Sequence, residues 1–271
     1  MDAVSWLFHQ ICVKDYHPPS GAEYPGFDRD ELSMQRFFKR FGRSLDFRGK
    51  AVLDVGCSAG AVCFEAARRG AKRVVGVDIQ LIDVARRQLE THHADLAGRV
   101  EFTETGGALS ELGSERFDVI LSKDSFEHYA NPEAFVPSVV GFLAAGGELV
   151  IGFGPLWRAP GGGHIDFMTK LPWAHLLFPE RVIMAERRRF RPDEHALRFE
   201  DIVGGLNKIT VRRFQTIMSS SGLECVSLQM NVSDHPAVKV MRALSHIPPL
   251  REYFTVNVYS IWRRPAGTEV S

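Results

Sequence analysis

Two short stretches hold the residue types that could bind a charged or hydroxylated ligand. Asp54-Val55-Gly56-Cys57-Ser58-Ala59-Gly60 sets two glycines, spaced G-x-x-x-G, between an apolar run and a helical one. Glycine there lets backbone amides approach a ligand closely, and the helix N-terminus behind it favours anionic groups. The next apolar run, Arg73 to Val77, ends at Asp78, where a carboxylate can accept both hydroxyls of a ribose. Together they describe a site for a nucleoside-containing cofactor. The dinucleotide pattern G-x-G-x-x-G fails, because Ser58 occupies its second glycine position. Two plainer readings stand beside this one: a glycine turn that only packs a helix on a sheet, and an Asp78 that only caps the next helix.

The elements that must position these residues alternate from Lys50 to Phe153. Ala51–Val55 reads as a buried strand and Ala61–Arg69 as a helix stopped by Gly70. Arg73–Val77 is a second strand, followed by a helix with Leu81, Val84, Ala85 and Leu89 on one face. Val100–Phe102 and Phe117–Leu121 are the third and fourth strands. Asn131 and Pro132 open a helix predicted to end at Gly146-Gly147, before a fifth strand, Glu148–Phe153. Such alternation predicts an α/β fold, a Rossmann-like doubly wound sheet with helices on both faces.

Outside that stretch the pattern changes. Residues 1–49 contain a loop-like Pro18-Pro19-Ser20-Gly21 cluster and an amphipathic helix from Glu31 to Phe41, and read as an N-terminal helical segment ahead of a domain spanning 50–271. Residues 154–207, with Gly161-Gly162-Gly163, Pro172, Pro179 and Pro192, read as a long irregular lid inserted into that domain. Thr210 caps a helix to Ser221, and Leu223–Met230 and Glu252–Arg263 are predicted as two last strands.

At this level the chain resembles the class I S-adenosylmethionine-dependent methyltransferases, in their small-molecule, type 11-like branch. Asp54–Gly60 is similar to the family's D-x-G-x-G-x-G motif, with Ser58 for the middle glycine. Val75-Gly76-Val77-Asp78-Ile79 is similar to its second motif, and Phe117–His128 to its fourth-strand motif, which often ends Glu-His. Leu143–Leu149 resembles its L-x-P-G-G-x-L step, with Ala145 replacing proline. The resemblance covers about 50–153 and 210–263 and implies an antiparallel strand pair at the C-terminal end. It implies S-adenosyl-L-methionine as cofactor, held by Asp54, Gly56, Cys57, Ser58, Gly60 and Ser122, with Asp78 on the ribose and Ile79 against adenine. The family's acidic contact to the adenine amino group has no clear counterpart, which leaves the Gly107 or Ala108 backbone, or Glu104, to supply it.

Methyl transfer to a hydroxyl needs a base for the departing proton. Candidates at the carboxyl ends of the strands are His128, His164 and His175. His164 ranks first, following the triple glycine and preceding Asp166, which could orient it. His128 reads equally as part of a helix start. His175, between Trp173 and Leu176-Leu177-Phe178, reads more readily as a packed histidine. Trp157, Phe167 and Trp173 either wall an apolar acceptor pocket or form the lid's own core. His92-His93-x-Asp95 and Asp193-Glu194-His195 read as solvated surface rather than metal ligands, so no metal is expected. Arg187–Arg191 reads by default as a salt-bridged surface run, and neither Cys57 nor Cys63 has an activating neighbour in sequence.

Composition narrows the partners. Lys+Arg and Asp+Glu both count 33, and a chain that neutralises many phosphates usually has a basic excess, so nucleic acid is an unlikely partner. Four cysteines without a C-x-x-C pair suit a reducing cytoplasm. The longest apolar stretch, 135–154, is broken by Pro137 and by Gly141, Gly146 and Gly147, so no membrane span is expected. The reading is a cytoplasmic methyltransferase acting on a small-molecule or lipid-like acceptor at oxygen, compatible with a homodimer. An RNA or protein methyltransferase using Arg187–Arg191, and a non-catalytic partner subunit of the same fold, are the alternatives.

Overall fold

A computed structural model describes residues 2–14, 27–41, 45–106, 109–233 and 235–267. The Pro18–Gly21 cluster lies outside the described residues. Seven strands form one sheet in the order β3-β2-β1-β4-β5-β7-β6. They are β1 (Ala51–Val55), β2 (Arg73–Asp78), β3 (Val100–Glu104), β4 (Phe117–Lys123), β5 (Leu143–Phe153), β6 (Glu224–Met230) and β7 (Val258–Arg263). The first five are parallel; β7 runs antiparallel to both β5 and β6. This is the Rossmann-like sheet with an antiparallel C-terminal pair that the motif order implies.

Successive strand residues feed opposite faces, and both faces are covered, so the strands read as unbroken apolar runs. Val52, Val74, Leu121 and Val150 point to one core, with Phe37 and Phe38 of α2 (Phe27–Arg40) and Phe64 of α3 (Ala61–Arg68). Leu53, Val75, Ile120 and Ile151 point to the other, with Val136 of α5 (Pro132–Gly141) and Phe214 of α8 (Val211–Ser219). α4 (Ile82–His92) adds Ile82 and Ala85 to the first. Both expected caps form: Asn131 Oδ1 accepts from Ala134 N (3.2 Å) and Thr210 Oγ1 from Arg213 N (3.2 Å).

Three expectations need correction. α5 ends at Gly141 and β5 starts at Leu143, because Gly146 and Gly147 do not stop a helix. They lie inside the strand, Gly146 at φ +74°, and a Cβ on Gly147 would come within 2.9 Å of the Ala144 carbonyl. The last strand begins only at Val258. Residues Arg251–Phe254 form a helical turn (α10), since the Glu252 carboxylate accepts from Val211 N (3.0 Å) and Arg212 N (2.9 Å) at the start of α8. A further helix, α9 (Pro236–Ser245), precedes that turn.

Residues 154–207 are also not simply irregular. They contain α6 (Ala174–Leu177) and α7 (Glu180–Phe190), and build a third core from Ile165, Met168, Val182, Ile183 and Phe199. α1 (Ala3–Phe8), which continues as a π-helix over His9–Val13, joins that core through Phe8, whose ring meets Phe178 edge-on at 4.8 Å.

Candidate active site

The carboxyl edge of β1 and β2 carries the glycine turn. The amides of Gly56 and Cys57 donate to the Val77 carbonyl (2.8 and 3.1 Å), which stitches the turn to β2. Gly56 sits at φ +80°, and a Cβ there would fall 2.7 Å from Ser125 Cβ on the loop after β4. Gly60, at φ +91°, starts α3, and a Cβ there would fall 2.7 Å from the Phe102 ring. Both glycines are therefore required by conformation and by space. Ser58, where the motif has its middle glycine, takes φ +51°, a region costly for a residue with a Cβ.

Asp78 faces this turn. Its Oδ2 accepts from Ser58 N (2.8 Å) and its Oδ1 from Gln80 N (2.9 Å). A carboxylate offers about four acceptor positions, so two hydroxyls can still be accommodated. Beside it, Ile79 leaves half its side chain exposed, an apolar surface at the lip of the turn. Asp54 and Cys57 are buried beneath the turn. Burial lifts the Asp54 carboxyl to about 7, Cys63 Sγ donates to its Oδ2 (3.4 Å), and its Oδ1 has no partner. Burial also raises the Cys63 thiol, so it gains no nucleophilic character from its neighbours. Glu104 is exposed at the end of β3, while Gly107 and Ala108 lie outside the described residues.

At the end of β4 the geometry sets Ser122, an expected cofactor contact, among residues that sequence reasoning passed over. Ser122 Oγ is engaged with Tyr129 Oη (2.8 Å), which also reaches the Val55 carbonyl (3.3 Å). Asn207 Nδ2 donates to the carbonyls of Phe126 (2.7 Å) and Tyr129 (2.9 Å), clamping the loop after β4 to the far end of the insertion. Glu127 is fully buried, its carboxyl pushed up to about 8 by burial, with Oε2 unpartnered. Only the Glu-His signature pointed here; Tyr129 and Asn207 had no signal, because they act through carbonyls distant in sequence.

The candidate bases separate. His164, at φ +49°, lies with its ring 5.4 Å from that of His128 and perpendicular to it. Its Nε2 is buried without a hydrogen-bond partner, and its other nitrogen is bonded to the Pro155 carbonyl. Burial lowers its pKa to about 4, so it is neutral near pH 7, with an Nε2 lone pair that no protein donor uses. His128 Nδ1 bonds the Gly205 carbonyl (2.6 Å). His175 is buried, with Nε2 bonded to the Trp157 carbonyl (2.6 Å), a packed position. Trp157 packs on Phe199 and His175, Phe167 on Phe190, and Trp173 on Phe254. Trp157 and Phe167 both pack against the third core, and Trp173 stands against the turn at Arg251–Phe254.

Two surface readings are corrected. Arg187 is buried, in a bidentate pair with Glu194 (2.6 and 2.8 Å), because the third core closes over it. His93 is buried too, its ring on Phe64 and its Nδ1 2.9 Å from Arg68. Among the described residues no group of three or more His, Cys, Asp or Glu side chains is placed to hold a metal ion.

Residues 53–151 match the family described as a methyltransferase domain. Over those residues the chain is similar to methyltransferase domains. Over 149 residues it is 30% identical to a ubiquinone biosynthesis O-methyltransferase of Bartonella quintana (strain Toulouse), covering 54% of this chain and 55% of that one. The chain spans about half the length of the curated relatives it matches. An S-adenosylmethionine-dependent methyltransferase from Mesorhizobium loti superposes with TM-score 0.55 at 17% identity, over 83% of this chain and 96% of that one. The [4+2]-cyclase SpnF superposes with TM-score 0.56 at 14% identity, over 93% and 88%. These likenesses establish the fold; one fold hosting a transferase and a cyclase means that activity must be argued from the site.

Proposed function

We propose that this protein transfers the methyl group of S-adenosyl-L-methionine to a hydroxyl oxygen of a small-molecule or lipid-like acceptor, in the cytoplasm. The observation that carries the reading is the pairing of the Gly56–Gly60 turn with the Asp78 carboxylate, which bonds the Ser58 amide at 2.8 Å. A Cβ at Gly56 or Gly60 would clash with Ser125 or with the Phe102 ring, so the turn keeps a bare backbone at both, and Ile79 beside it is exposed. The residues present fit a nucleoside with a hydroxylated ribose. The similarity to ubiquinone biosynthesis O-methyltransferases supports oxygen as the methylated atom.

When bound, the cofactor supplies an activated methyl group on a sulfonium, ready for in-line displacement. The chain's own residues bind, orient and keep water out. Gly56, Cys57, Ser58 and Gly60 offer close backbone, Asp78 takes the ribose hydroxyls, and Ile79 covers adenine. His164, neutral and held by the Pro155 carbonyl, accepts the acceptor's hydroxyl proton at Nε2, with His128 set against its ring. The third core shields this pair from solvent.

The test is transfer of radiolabelled methyl from S-adenosyl-L-methionine to phenols, catechols and hydroxylated sugars, each with and without an alkyl tail. Label in an O-methylated product, lost in Asp78→Ala, is the expected result. Cofactor binding without transfer to any hydroxyl, or label in RNA or protein, would overturn the acceptor reading.

A further inference from the structure

The connection from β6 to β7 is far longer than a hairpin requires, and between Asp234 and Glu252 its charged side chains are all basic. β6 ends at Met230 and β7 begins at Val258, both paired at the carboxyl edge where β5 ends in Phe153. The intervening segment therefore projects from the same edge as the glycine turn. From His235 to Arg251 it contains Lys239, Arg242 and Arg251, with His235 and His246, and no Asp or Glu.

α9 in this segment is held rigidly. Asn231, fully buried at φ +57°, donates from Nδ2 to Ser245 Oγ (3.2 Å) and the Phe254 carbonyl (2.9 Å), and its Oδ1 accepts from Val256 N (2.7 Å). With Ser245 turned inward, two stripes face out. Val240, Ala243 and Ile247 are spaced three and four apart, and Lys239, Arg242 and His246 run beside them at the same spacing. All six are exposed, Val240 at 61% and Ile247 at 47%. A solvated helix would place polar side chains where Val240 and Ile247 stand. The apolar surface continues: Tyr253 is exposed under Arg158, Phe254 meets Trp173 edge-on at 5.5 Å, and the helix after Trp173 exposes Leu176 and Leu177.

We propose that this face docks on the surface of an anionic lipid bilayer, with Val240 and Ile247 at the headgroup–acyl boundary and Lys239 and Arg251 against lipid phosphates, while Arg242 is held by the Asn231 carbonyl. Aliphatic side chains flanked by cations on one face of a short helix are the pattern that lies in such an interface. A second copy fits poorly, because a twofold contact would set these cations against each other with no carboxylate between 235 and 251. Nucleic acid would leave the aliphatic stripe unused. Docking in this way turns the carboxyl edge toward the bilayer. The docking itself does not depend on the transferase reading.

The test is co-sedimentation of the full chain with vesicles of phosphatidylcholine alone and of phosphatidylcholine with about one-third phosphatidylglycerol. Binding is expected only to the anionic vesicles and to weaken as salt rises. Lys239→Gln should lower partitioning about fivefold, and Val240→Asp should abolish it. Arg116→Gln, at the opposite edge of the sheet, should change nothing. Because Lys239 and Val240 are exposed, circular dichroism should show the fold intact in both variants. Absence of binding to either vesicle would overturn the proposal. So would binding undiminished in Val240→Asp, self-association lost in that variant, or capture of single-stranded RNA in place of vesicles.

Discussion

Arg187 and Glu194 form a buried bidentate ion pair that ties His164 and His128 to the same frame. Each side chain is 5% exposed. Arg187 also donates to the His164 carbonyl (3.4 Å), while Glu194 Oε1 accepts from Val203 N (2.9 Å), two residues before the Gly205 carbonyl that bonds His128. Burial alone would raise the Glu194 carboxyl, but the Arg187 bonds and the Val203 amide hold it below its ordinary value. Removing one member leaves a buried charge, so Arg187→Met should destabilise by about 3–5 kcal/mol. Chemical denaturation checks this. The double variant Arg187→Met/Glu194→Leu should recover much of the loss, and a double variant no more stable than the single one would contradict the account.

The same pair gives a pH dependence with a defined sign. A carboxyl depressed in the folded state contributes stability above its unfolded pKa, lost as pH falls through the folded value. The Glu194 contribution should thus be complete above the ordinary glutamate range of about 4 and disappear in acid. Denaturation midpoints of wild type and Glu194→Gln should converge below that range.

Glu127 behaves in the opposite way. Its folded pKa of about 8 lies above its unfolded value, so its neutral form is favoured in the native state. Its contribution is complete below about 4 and is lost as pH rises toward 8. Glu127→Gln should flatten the fall in stability between pH 5 and 8, worth on the order of 1–3 kcal/mol, as read by denaturation at both pH values. An unchanged slope would mean that Glu127 is ionised in the fold.

His164 remains neutral down to about pH 4. Turnover that depends on its Nε2 should therefore show no loss between pH 8 and 6 attributable to histidine protonation. His164→Ala should lower kcat by roughly 100-fold or more with cofactor affinity nearly intact. Wild-type turnover in that variant would remove it as the base.

The sheet was legible because both of its faces are covered, which turns β1, β2, β4 and β5 into apolar runs punctuated by glycine and acid. The cofactor motifs were legible because Gly56, Gly60 and Asp78 act through local backbone geometry. The third core was not, since its helices α6 and α7 lie among prolines, and it closes by long-range contacts such as Phe8 on Phe178. Arg187 looked like surface because sequence shows a basic run but not which member turns inward. The turn at Arg251–Phe254 was hidden for a related reason: Glu252 caps a helix forty residues away. The alternation from Phe254 onward imitates a strand that starts only at Val258.

The most direct measurement is calorimetric titration of S-adenosylhomocysteine into wild type and Asp78→Ala. Tight binding in the wild type, weakened by about 1–3 kcal/mol in the variant, is the predicted result, since the variant loses ribose hydrogen bonds. Equal affinity in both proteins, or no binding to either, would contradict the assignment of the Gly56–Gly60 turn and Asp78 as the cofactor site.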